Sequence, residues 1–435
     1  MRFGHNELAP TDKEVAYLVG VVSEREDIFQ VREELDELAE LTRTAGAEVS
    51  ECLVVHRKGG IDPDFYVGKG KCQEIIQAME HLGCNLLVTN DELTPRQHKN
   101  LENTLEVKVL DRTDVILDIF AKHAVTTEGR LQVEAAQLHH LLPRLRNRRD
   151  LSRLGGGIGT RGPGEQKLEM DRRVIRKRIQ MLERRIDEIG RRRAVLRERR
   201  KSQSIPNVAL VGYTNAGKSS LLNALTEAGV LVEDKLFATL DPTTRAYKLP
   251  SGKVISITDT VGFIRKVPAD IVAAFRATIE DIVESDVICQ VCDITSPSLE
   301  QKVDAVDEIL ADIGIGPKPQ ILIFNKVDLV GPQIIMSKLQ HLKNDVRPKI
   351  LVSALKHIGL DKLAAAIQEM ISINLAPFEL TIPYIYEKEY FVVRHLLVIE
   401  KEVFEDAGIF VKGLGPEGVI ARLSTIAHQL SYPRG

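Results

Sequence analysis

The sequence lacks any apolar run that could cross a membrane and any segment typical of a secretory signal. A transmembrane helix needs about 20 consecutive apolar residues, and no stretch of this 435-residue chain approaches that length. The first residues, MRFGHNELAPTDKE, contain no hydrophobic core, so we expect no secretory signal. Lipidation motifs and an amphipathic anchor are also missing, which argues against a membrane or signalling switch.

Cysteine is scarce as well. The five cysteines are widely spread, a pattern typical of a reducing compartment. Cys289 and Cys292 form a C-x-x-C, but the surrounding SDVICQVCD has the composition of a buried strand. Residues three apart on a strand point to opposite faces. We therefore predict that this pair packs in the core and takes no part in metal or redox chemistry.

Charge is low overall but unevenly distributed. The net charge is −3, yet residues 144–201 contain 21 Lys and Arg against 8 Asp and Glu, a local charge of +13. The remainder of the chain therefore carries −16. A concentrated basic segment in an acidic protein indicates a polyanionic partner for that segment, although a solvated basic face is the alternative.

The length and the patterns along the chain predict an α/β protein of four parts. Residues 1–125 alternate short apolar runs with helical patterns, which predicts a small parallel α/β domain. Residues 126–202 predict an antiparallel helical hairpin, residues 203–376 a Ras-like P-loop GTPase domain, and residues 377–435 a small α/β domain. The last part has the pattern of a hairpin around Glu405–Gly408 and shows no chemistry.

The hairpin is predicted from apolar residues that recur at steps of three and four on both sides of a glycine-rich stretch. The repeating positions are Leu131, Ala135, Leu138, Leu142 and Leu145, and then Leu168, Ile175, Ile179, Leu182, Ile186, Ile189 and Leu196. Two unrelated helices are the alternative. We expect the adjacent histidines, His139 and His140, to be packing or surface residues.

The glycine-rich stretch, SRLGGGIGTRGPGE, begins at Ser152 and lies at the predicted tip. Gly157, Gly159 and Gly162 match G-x-G-x-x-G, but a dinucleotide fingerprint follows a strand, and here a helix precedes it. Arginines among the glycines and flanking basic runs argue against a plain linker and instead favour contact with a polyanion.

The segment NVALVGYTNAGKSSLLNAL contains the strongest motif. Gly212 to Ser219 fits the P-loop pattern G-x-x-x-x-G-K-[ST] between a strand and a helix. In such a loop backbone amides approach phosphate oxygens, Lys218 reaches the β- and γ-phosphates, and the Ser219 hydroxyl binds Mg²⁺. One motif of this kind has a real false-positive rate.

Three further motifs follow it at predicted strand ends. Asp259, which ends VISITD, can hold Mg²⁺ through water, and the Gly262 amide can meet the γ-phosphate. Asp328 of Asn-Lys-Val-Asp can accept hydrogen bonds from the N1 and N2 donors of guanine, a pair that adenine lacks. The Ser353-Ala354 backbone can meet the guanine O6. Strand ends on one edge of a doubly wound sheet form a ligand site, so the sequence predicts a GTP-binding domain.

Together with these motifs, the chain resembles the HflX family of ribosome-associated GTPases, which is related to Obg. The resembling residues are LSRLGGGIGTRGPGE, KLEMDRRVIRKRI, GYTNAGKS, FATLDPTTR, DTVGFIRKVP and NKVD. The resemblance implies that Thr239 is the switch threonine, although Thr243 and Thr244 qualify chemically, and that Ser219 and Thr239 ligate Mg²⁺. It also implies binding to the large ribosomal subunit, splitting of stalled or stress-affected ribosomes, and a glycine-rich loop held by rRNA.

We expect a ribosome-associated monomer in the cytoplasm. A peripheral position at the membrane and ATP binding by the N-terminal domain stay open. Lys218, Thr239 and Gly262 are the predicted catalytic residues. The predicted GTP contacts are Gly212, Tyr213, Thr214, Asn215, Ala216, Gly217, Lys218, Ser219, Ser220, Phe237, Ala238, Thr239, Leu240, Asp241, Asp259, Thr260, Val261, Gly262, Asn325, Lys326, Val327, Asp328, Ser353, Ala354 and Leu355. The predicted rRNA contacts are Arg153, Gly155, Gly156, Gly157, Gly159, Arg161, Gly162 and Gly164.

Two questions stay open on the sequence alone. A tRNA-modifying GTPase is the rival function, but the N-terminal domain shows no nucleophilic cysteine or carboxylate cluster that favours it. Phe263 stands where Ras-like enzymes carry the Gln that orients the attacking water. Either another residue of this chain replaces the Gln and Phe263 only packs, or the ribosome supplies the missing group. The second interpretation predicts slow hydrolysis by the isolated protein.

Overall fold

The computed structural model divides the chain into two compact units. The first is formed by residues 1–188 and also includes Lys235–Phe237 and Lys266–Phe275; the remaining residues form the second. The structure describes residues 13–24, 27–145, 163–202, 205–226, 236–237, 242–266, 276–315, 318–373, 376–394, 397–415 and 417–428. In these ranges no helix combines the length and the apolar character that a membrane span requires.

The first unit contains a four-stranded parallel sheet in the order β2-β1-β3-β4. Its strands are β1 (Val15–Val22), β2 (Glu48–His56), β3 (Leu86–Thr89) and β4 (Lys108–Asp111). The intervening helices are α1 (Ile28–Ala45), α2 (Lys69–Leu82), α3 (Pro95–Leu105) and α4 (Arg112–His123). This confirms the parallel α/β fold predicted from the alternation of strand and helix patterns.

Local sequence signals explain where these helices begin and end. Gly46 ends α1 with φ of +103°, a left-handed conformation that is strained for residues with a Cβ. Thr94 and Gln97 form a reciprocal capping box at the start of α3. Asp111 and Asp114 form another at the start of α4.

Two helices follow the sheet, α5 (Thr127–Arg144) and α6 (Pro163–Ser202). The predicted seam is partly buried, since Ala135, Ile175, Ile179 and Leu182 are each less than 9% exposed. Ion pairs join Glu134 to Arg178 and His139 to Glu183. The paired positions advance in the same direction along both helices, whereas an antiparallel hairpin needs opposite directions. The antiparallel order therefore gains no support from these contacts and stays a prediction.

A buried charge cluster ties the end of α5 to the start of α4. Arg144 lies 2.6 Å from Asp111 and 2.8 Å from Asp114, and the His140 Nε2 lies 3.2 Å from Asp114. Burial lowers the pKa of His140, but hydrogen bonds to the two carboxylates outweigh it and raise that pKa to about 9. His140 is thus a buried residue, which is one of the two alternatives expected for it. The cluster anchors the helix that leads into the glycine-rich stretch.

We predict that Asp114→Asn lowers the free energy of unfolding by about 3–5 kcal/mol at pH 7, because it removes one of the two carboxylates that face the buried His140 and the half-buried Arg144. Burial raises the pKa of Asp114, but His140 and Arg144 hold it well below its ordinary value. A depressed carboxyl pKa stabilises the fold above about pH 4, and this contribution is lost as the pH falls further. Denaturant unfolding at several pH values checks this, with the exposed Asp118→Asn on the same helix as control. Equal stability losses for both variants would contradict it.

The second unit contains a six-stranded sheet in the order β10-β9-β8-β5-β7-β6, in which β6 alone among these strands pairs antiparallel. The strands are β5 (Asn207–Gly212), β6 (Thr243–Lys248), β7 (Val254–Asp259), β8 (Val287–Asp293), β9 (Gln320–Asn325) and β10 (Lys349–Leu351). The helices are α7 (Lys218–Thr226), α8 (Arg276–Val283), α9 (Leu299–Asp312), α10 (Pro332–His341) and α11 (Leu360–Ile373). The mixed sheet with helices is the predicted Ras-like arrangement.

The C-x-x-C pair lies on β8, and its two cysteines pack in different apolar clusters, as the strand periodicity predicts. Burial raises the pKa of both thiols to about 12. Neither thiol is therefore ionised near neutral pH.

The second unit also contains a three-stranded antiparallel sheet in the order β11-β13-β12. Its elements are β11 (Ala376–Ile382), α12 (Glu387–Val393), β12 (Val398–Glu405), β13 (Gly408–Gly415) and α13 (Glu417–His428). The turn between β12 and β13 lies where the hairpin was predicted.

Candidate nucleotide-binding site

The candidate site is built at the carboxyl ends of the strands of the six-stranded sheet. The P-loop follows β5, the Asp-x-x-Gly follows β7, and the Asn-Lys-Val-Asp follows β9. The segment that begins at Ser353 follows β10. All four strands run parallel to their neighbours in this sheet, apart from the pairing of β7 with β6, so the motifs meet at one edge.

Two glycines of the P-loop occupy positions where a side chain would not fit. At Gly212, with φ of +149°, a Cβ would lie 2.2 Å from the Val291 carbonyl oxygen. At Gly217, with φ of +90°, it would lie 2.3 Å from the Asn325 Nδ2. The loop therefore keeps its backbone close to the neighbouring strands, as a phosphate-binding loop requires.

Lys218 begins α7 and is almost fully buried, with 6% of its surface exposed. Its Nζ donates hydrogen bonds to the carbonyls of Gly212 and Tyr213, at 3.2 and 3.0 Å. Burial lowers the pKa of Lys218 to about 8, although Asp259 acts in the opposite direction. A desolvated ammonium at a helix N-terminus favours an anionic ligand such as a nucleotide phosphate.

Ser219 and Asp259 provide oxygen atoms that fit a magnesium ion. The Ser219 hydroxyl donates to the Asp259 carboxylate at 2.6 Å, and Asp259 is fully buried. Hydroxyl, carboxylate and phosphate oxygens are the hard ligands that Mg²⁺ prefers. Both residues lie where the P-loop and Asp-x-x-Gly motifs predict them.

The Asp-x-x-Gly segment is bound to the P-loop through its backbone. The Thr214 amide donates to the Phe263 carbonyl at 2.8 Å, and the Phe263 amide donates to the Gly212 carbonyl at 3.0 Å. A Cβ at Gly262 would lie 2.8 Å from the Thr214 Cα. Gly262 is therefore placed beside the loop where a γ-phosphate would lie.

Asn325 connects the base-reading end of the site to the P-loop. Its buried side chain donates to the Ala216 carbonyl and accepts from the Ala354 amide, both at 3.0 Å. Lys326 has φ of +65° and pairs with Asp293 at 2.8 Å. Asp328 follows in a short 3₁₀ turn and is exposed. Its carboxylate is thus free of the core and accessible to a base.

Asn325→Ala is expected to weaken binding of GTP and GDP about 10- to 100-fold, because two buried backbone groups would lose their partner. Asn100→Ala, which removes one side-chain hydrogen bond to the Asp64 carbonyl in the first unit, is the control. Calorimetric titration with both nucleotides tests this. Affinities that match the control would show that Asn325 does not organise the site.

Several predicted site residues lie outside the described ranges or belong to the first unit. Residues 238–241, which include Thr239, and the glycine-rich residues 153–162 are not described. Gly164 lies in the first turn of α6. Phe237 is described and belongs to the first unit.

Sequence reasoning missed Asp293, which pairs with Lys326. Thr260, a predicted GTP contact, is buried, and its hydroxyl donates to the Leu210 carbonyl at 2.7 Å. A carboxylate that ends a buried strand was the available signal for Asp293.

Three family models match consecutive parts of the chain. The model described as "GTP-binding GTPase N-terminal" matches residues 32–121, and the "GTP-binding GTPase Middle Region" matches residues 123–200. The model described as "50S ribosome-binding GTPase" matches residues 207–326. The last range contains the P-loop, the Asp-x-x-Gly and Asn325.

Curated relatives match nearly the full length. The GTPase HflX of Caldanaerobacter subterraneus subsp. tengcongensis is 48% identical over 92% of this chain and 91% of its own. The GTPase HflX of Lacrimispora saccharolytica is 46% identical over 90% and 91%. That of Escherichia coli K12 is 38% identical over 86% and 88%. The similarity thus includes the basic segment as well as the nucleotide motifs.

Proposed function

Since this chain belongs to the HflX family of GTPases, we propose that it binds the large ribosomal subunit and splits stalled or stress-affected ribosomes. The chain hydrolyses GTP to GDP and phosphate. In the proposed cycle, GTP favours the ribosome-bound form and hydrolysis times release. The observation that supports this most is that the similarity to HflX relatives covers 92% of the chain. It therefore includes both the nucleotide motifs and the segment with a charge of +13.

The basic segment supports an RNA partner on physical grounds. Lys and Arg that contact RNA phosphates release counterions, so affinity should fall steeply with salt. Glycines at 155–164 lack a Cβ and allow the backbone to approach bases closely. A pair of helices is slim enough to enter an RNA cavity. Residues 153–164 are therefore the proposed rRNA contact.

We propose Mg²⁺ as the cofactor, held by Ser219 and Thr239 and, through water, by Asp259. The ion neutralises charge on the phosphates when it is bound. The chain's own contribution is positional: Lys218 faces the phosphates, Gly262 senses the γ-phosphate, and Asp328 reads guanine.

The rival function, tRNA modification, requires chemistry in the N-terminal domain. Burial raises the pKa of the thiols of Cys52, Cys72 and Cys84 in the first unit. Raised pKa values do not favour a thiolate nucleophile.

Co-sedimentation with ribosomal subunits in the presence of a GTP analogue tests the proposal. Binding to the large subunit that depends on the analogue is expected, together with dissociation of whole ribosomes measured by light scattering. Binding to tRNA alone, or to neither subunit, would contradict it.

A further inference from the structure

Two residues that adjoin the nucleotide motifs belong to the first unit. Lys266 follows Gly262 by four positions, and Phe237 precedes Thr239 by two. Both have a left-handed backbone, with φ of +54° and +57°. Residues with a Cβ adopt this conformation only when their surroundings determine it. The contacts around Lys266 and Phe237 therefore determine the backbone conformation of both residues.

Lys266 is held by two carboxylates. Its Nζ lies 2.7 Å from the Glu34 Oε2 and 2.9 Å from the Asp91 Oδ1. Glu34 is 3% exposed, so its charge is almost wholly withdrawn from water. Burial lowers the pKa of Lys266, but the two acids outweigh it and raise that pKa above its ordinary value. The lysine thus stays charged and compensates buried negative charge.

Neutral donors fix both carboxylates in place. The Asn90 Nδ2 donates to Glu34 at 2.8 Å, and the hydroxyl of the fully buried Tyr66 donates to Asp91 at 2.6 Å. The nearby Arg112 is already paired with Glu37. Within the described ranges, Lys266 is the cation with which both Glu34 and Asp91 form ion pairs. We call Glu34 and Asp91 the acid pocket.

The acid pocket lies where an α/β sheet usually binds a ligand. Asp91 follows the carboxyl end of β3, and Glu34 lies on α1, which follows β1. The order β2-β1-β3-β4 reverses direction between β1 and β3. Crevices at such a reversal are the common ligand sites of doubly wound folds. Here the lysine side chain enters that edge of the sheet.

Phe237 makes a second contact in the same unit. Its ring packs edge-on against Phe120 of α4, with centroids 4.8 Å apart and an interplanar angle of 81°. Only 3% of Phe237 is exposed. Two residues that adjoin nucleotide motifs in the sequence are therefore each held within the first unit by a specific side-chain contact.

We propose that the acid pocket and Phe120 form a latch that favours GDP over GTP, and that GTP binding draws Lys266 out of the pocket. This rests on GTP binding at the proposed site but not on the ribosome. Only GTP has the γ-phosphate that can attract the Gly262 amide, and a movement there is transmitted over four residues to Lys266. GDP has no γ-phosphate, so Lys266 stays in the acid pocket. A ligand shifts such an equilibrium by its differential affinity for the two states.

The test compares affinities for a non-hydrolysable GTP analogue and for GDP. In Lys266→Ala the ratio of analogue affinity to GDP affinity should rise at least about five-fold, the lower end of typical coupling between sites. Lys266→Arg keeps a cation within reach of both acids, so its ratio of analogue affinity to GDP affinity should match that of wild type. Lys412→Ala removes an exposed ion pair with Glu379 on the three-stranded sheet and serves as the control.

A second variant addresses folding. Glu34→Gln with Asp91→Asn removes the charge of the pocket but keeps hydrogen-bonding groups, and thermal melting establishes that each variant is folded. This double variant should raise the ratio as Lys266→Ala does, and the two changes combined should add nothing further. A ratio that stays unchanged in folded variants, or shifts toward GDP, would overturn the latch. Failure of wild type to bind GTP would instead contradict the proposed function.

Discussion

Asp328→Asn is expected to change the nucleotide preference from guanine to xanthine. The Asp328 carboxylate can accept from both N1 and N2 of guanine. An Asn amide places a donor where guanine also donates, so one hydrogen bond is replaced by a clash of two donors. Xanthine has a carbonyl in place of the 2-amino group and matches the new amide. Sites that read a base by hydrogen bonds reject the mismatched ligand by about 10⁴-fold.

The geometry supports this role, because Asp328 is exposed and follows residues that make specific contacts. Asn325 is buried and hydrogen-bonded to Ala216 and Ala354, and Lys326 has a left-handed backbone and pairs with Asp293. The measurement is equilibrium binding of guanosine and xanthosine diphosphates, with the exposed Asp312→Asn as a matched control. Guanosine affinity that survives unchanged in Asp328→Asn would show that another group reads the base.

Shortening the stretch from Gly155 to Gly164 should abolish stimulation by ribosomes while GTP affinity stays within about two-fold of wild type. The stretch is remote in sequence from every nucleotide motif and lies in the segment with a charge of +13. We expect ribosomes to raise the rate of GTP hydrolysis by about 10³–10⁵, on the scale of activation in trans. The measurement is GTP hydrolysis with and without large subunits, accompanied by nucleotide binding.

A matched variant separates the effect of the glycine backbone from that of the arginine charges in this stretch. Arg153→Ala with Arg161→Ala keeps the glycines and should mainly weaken ribosome binding and reduce its dependence on salt. A large loss of GTP affinity in the shortened protein would mean that the glycines bind a phosphate. It would contradict their assignment to RNA.

The sequence predicted those features that depend on local patterns. Strands alternate with helices in both sheets, the glycines at 212 and 217 lie where a Cβ has no room, and Cys289 and Cys292 face different cores. Strand ends also carry the nucleotide motifs, and parallel strands bring such ends together. These predictions needed only the periodicity of the apolar residues and the rule that ligands bind at the carboxyl ends of parallel strands.

Features that depend on contacts between distant residues were not predicted. His140 is charged because the buried Asp111 and the half-buried Asp114, which lie earlier in the chain, face it. Asp91 and Lys266 are 175 positions apart, and no local pattern connects them. The antiparallel direction of α5 and α6 was predicted and stays a prediction, since a seam of apolar residues fits either direction.

Single-turnover hydrolysis of GTP with and without large ribosomal subunits tests whether the ribosome completes the catalytic site of this GTPase. Phe263 can neither donate nor accept a hydrogen bond through its side chain, so nothing at this position orients the attacking water. We expect a slow rate for the isolated protein and an increase of about 10³–10⁵ on addition of large subunits. Phe263→Ala in the same assay shows whether the ring contributes or only packs. A fast rate that does not depend on ribosomes would contradict the account.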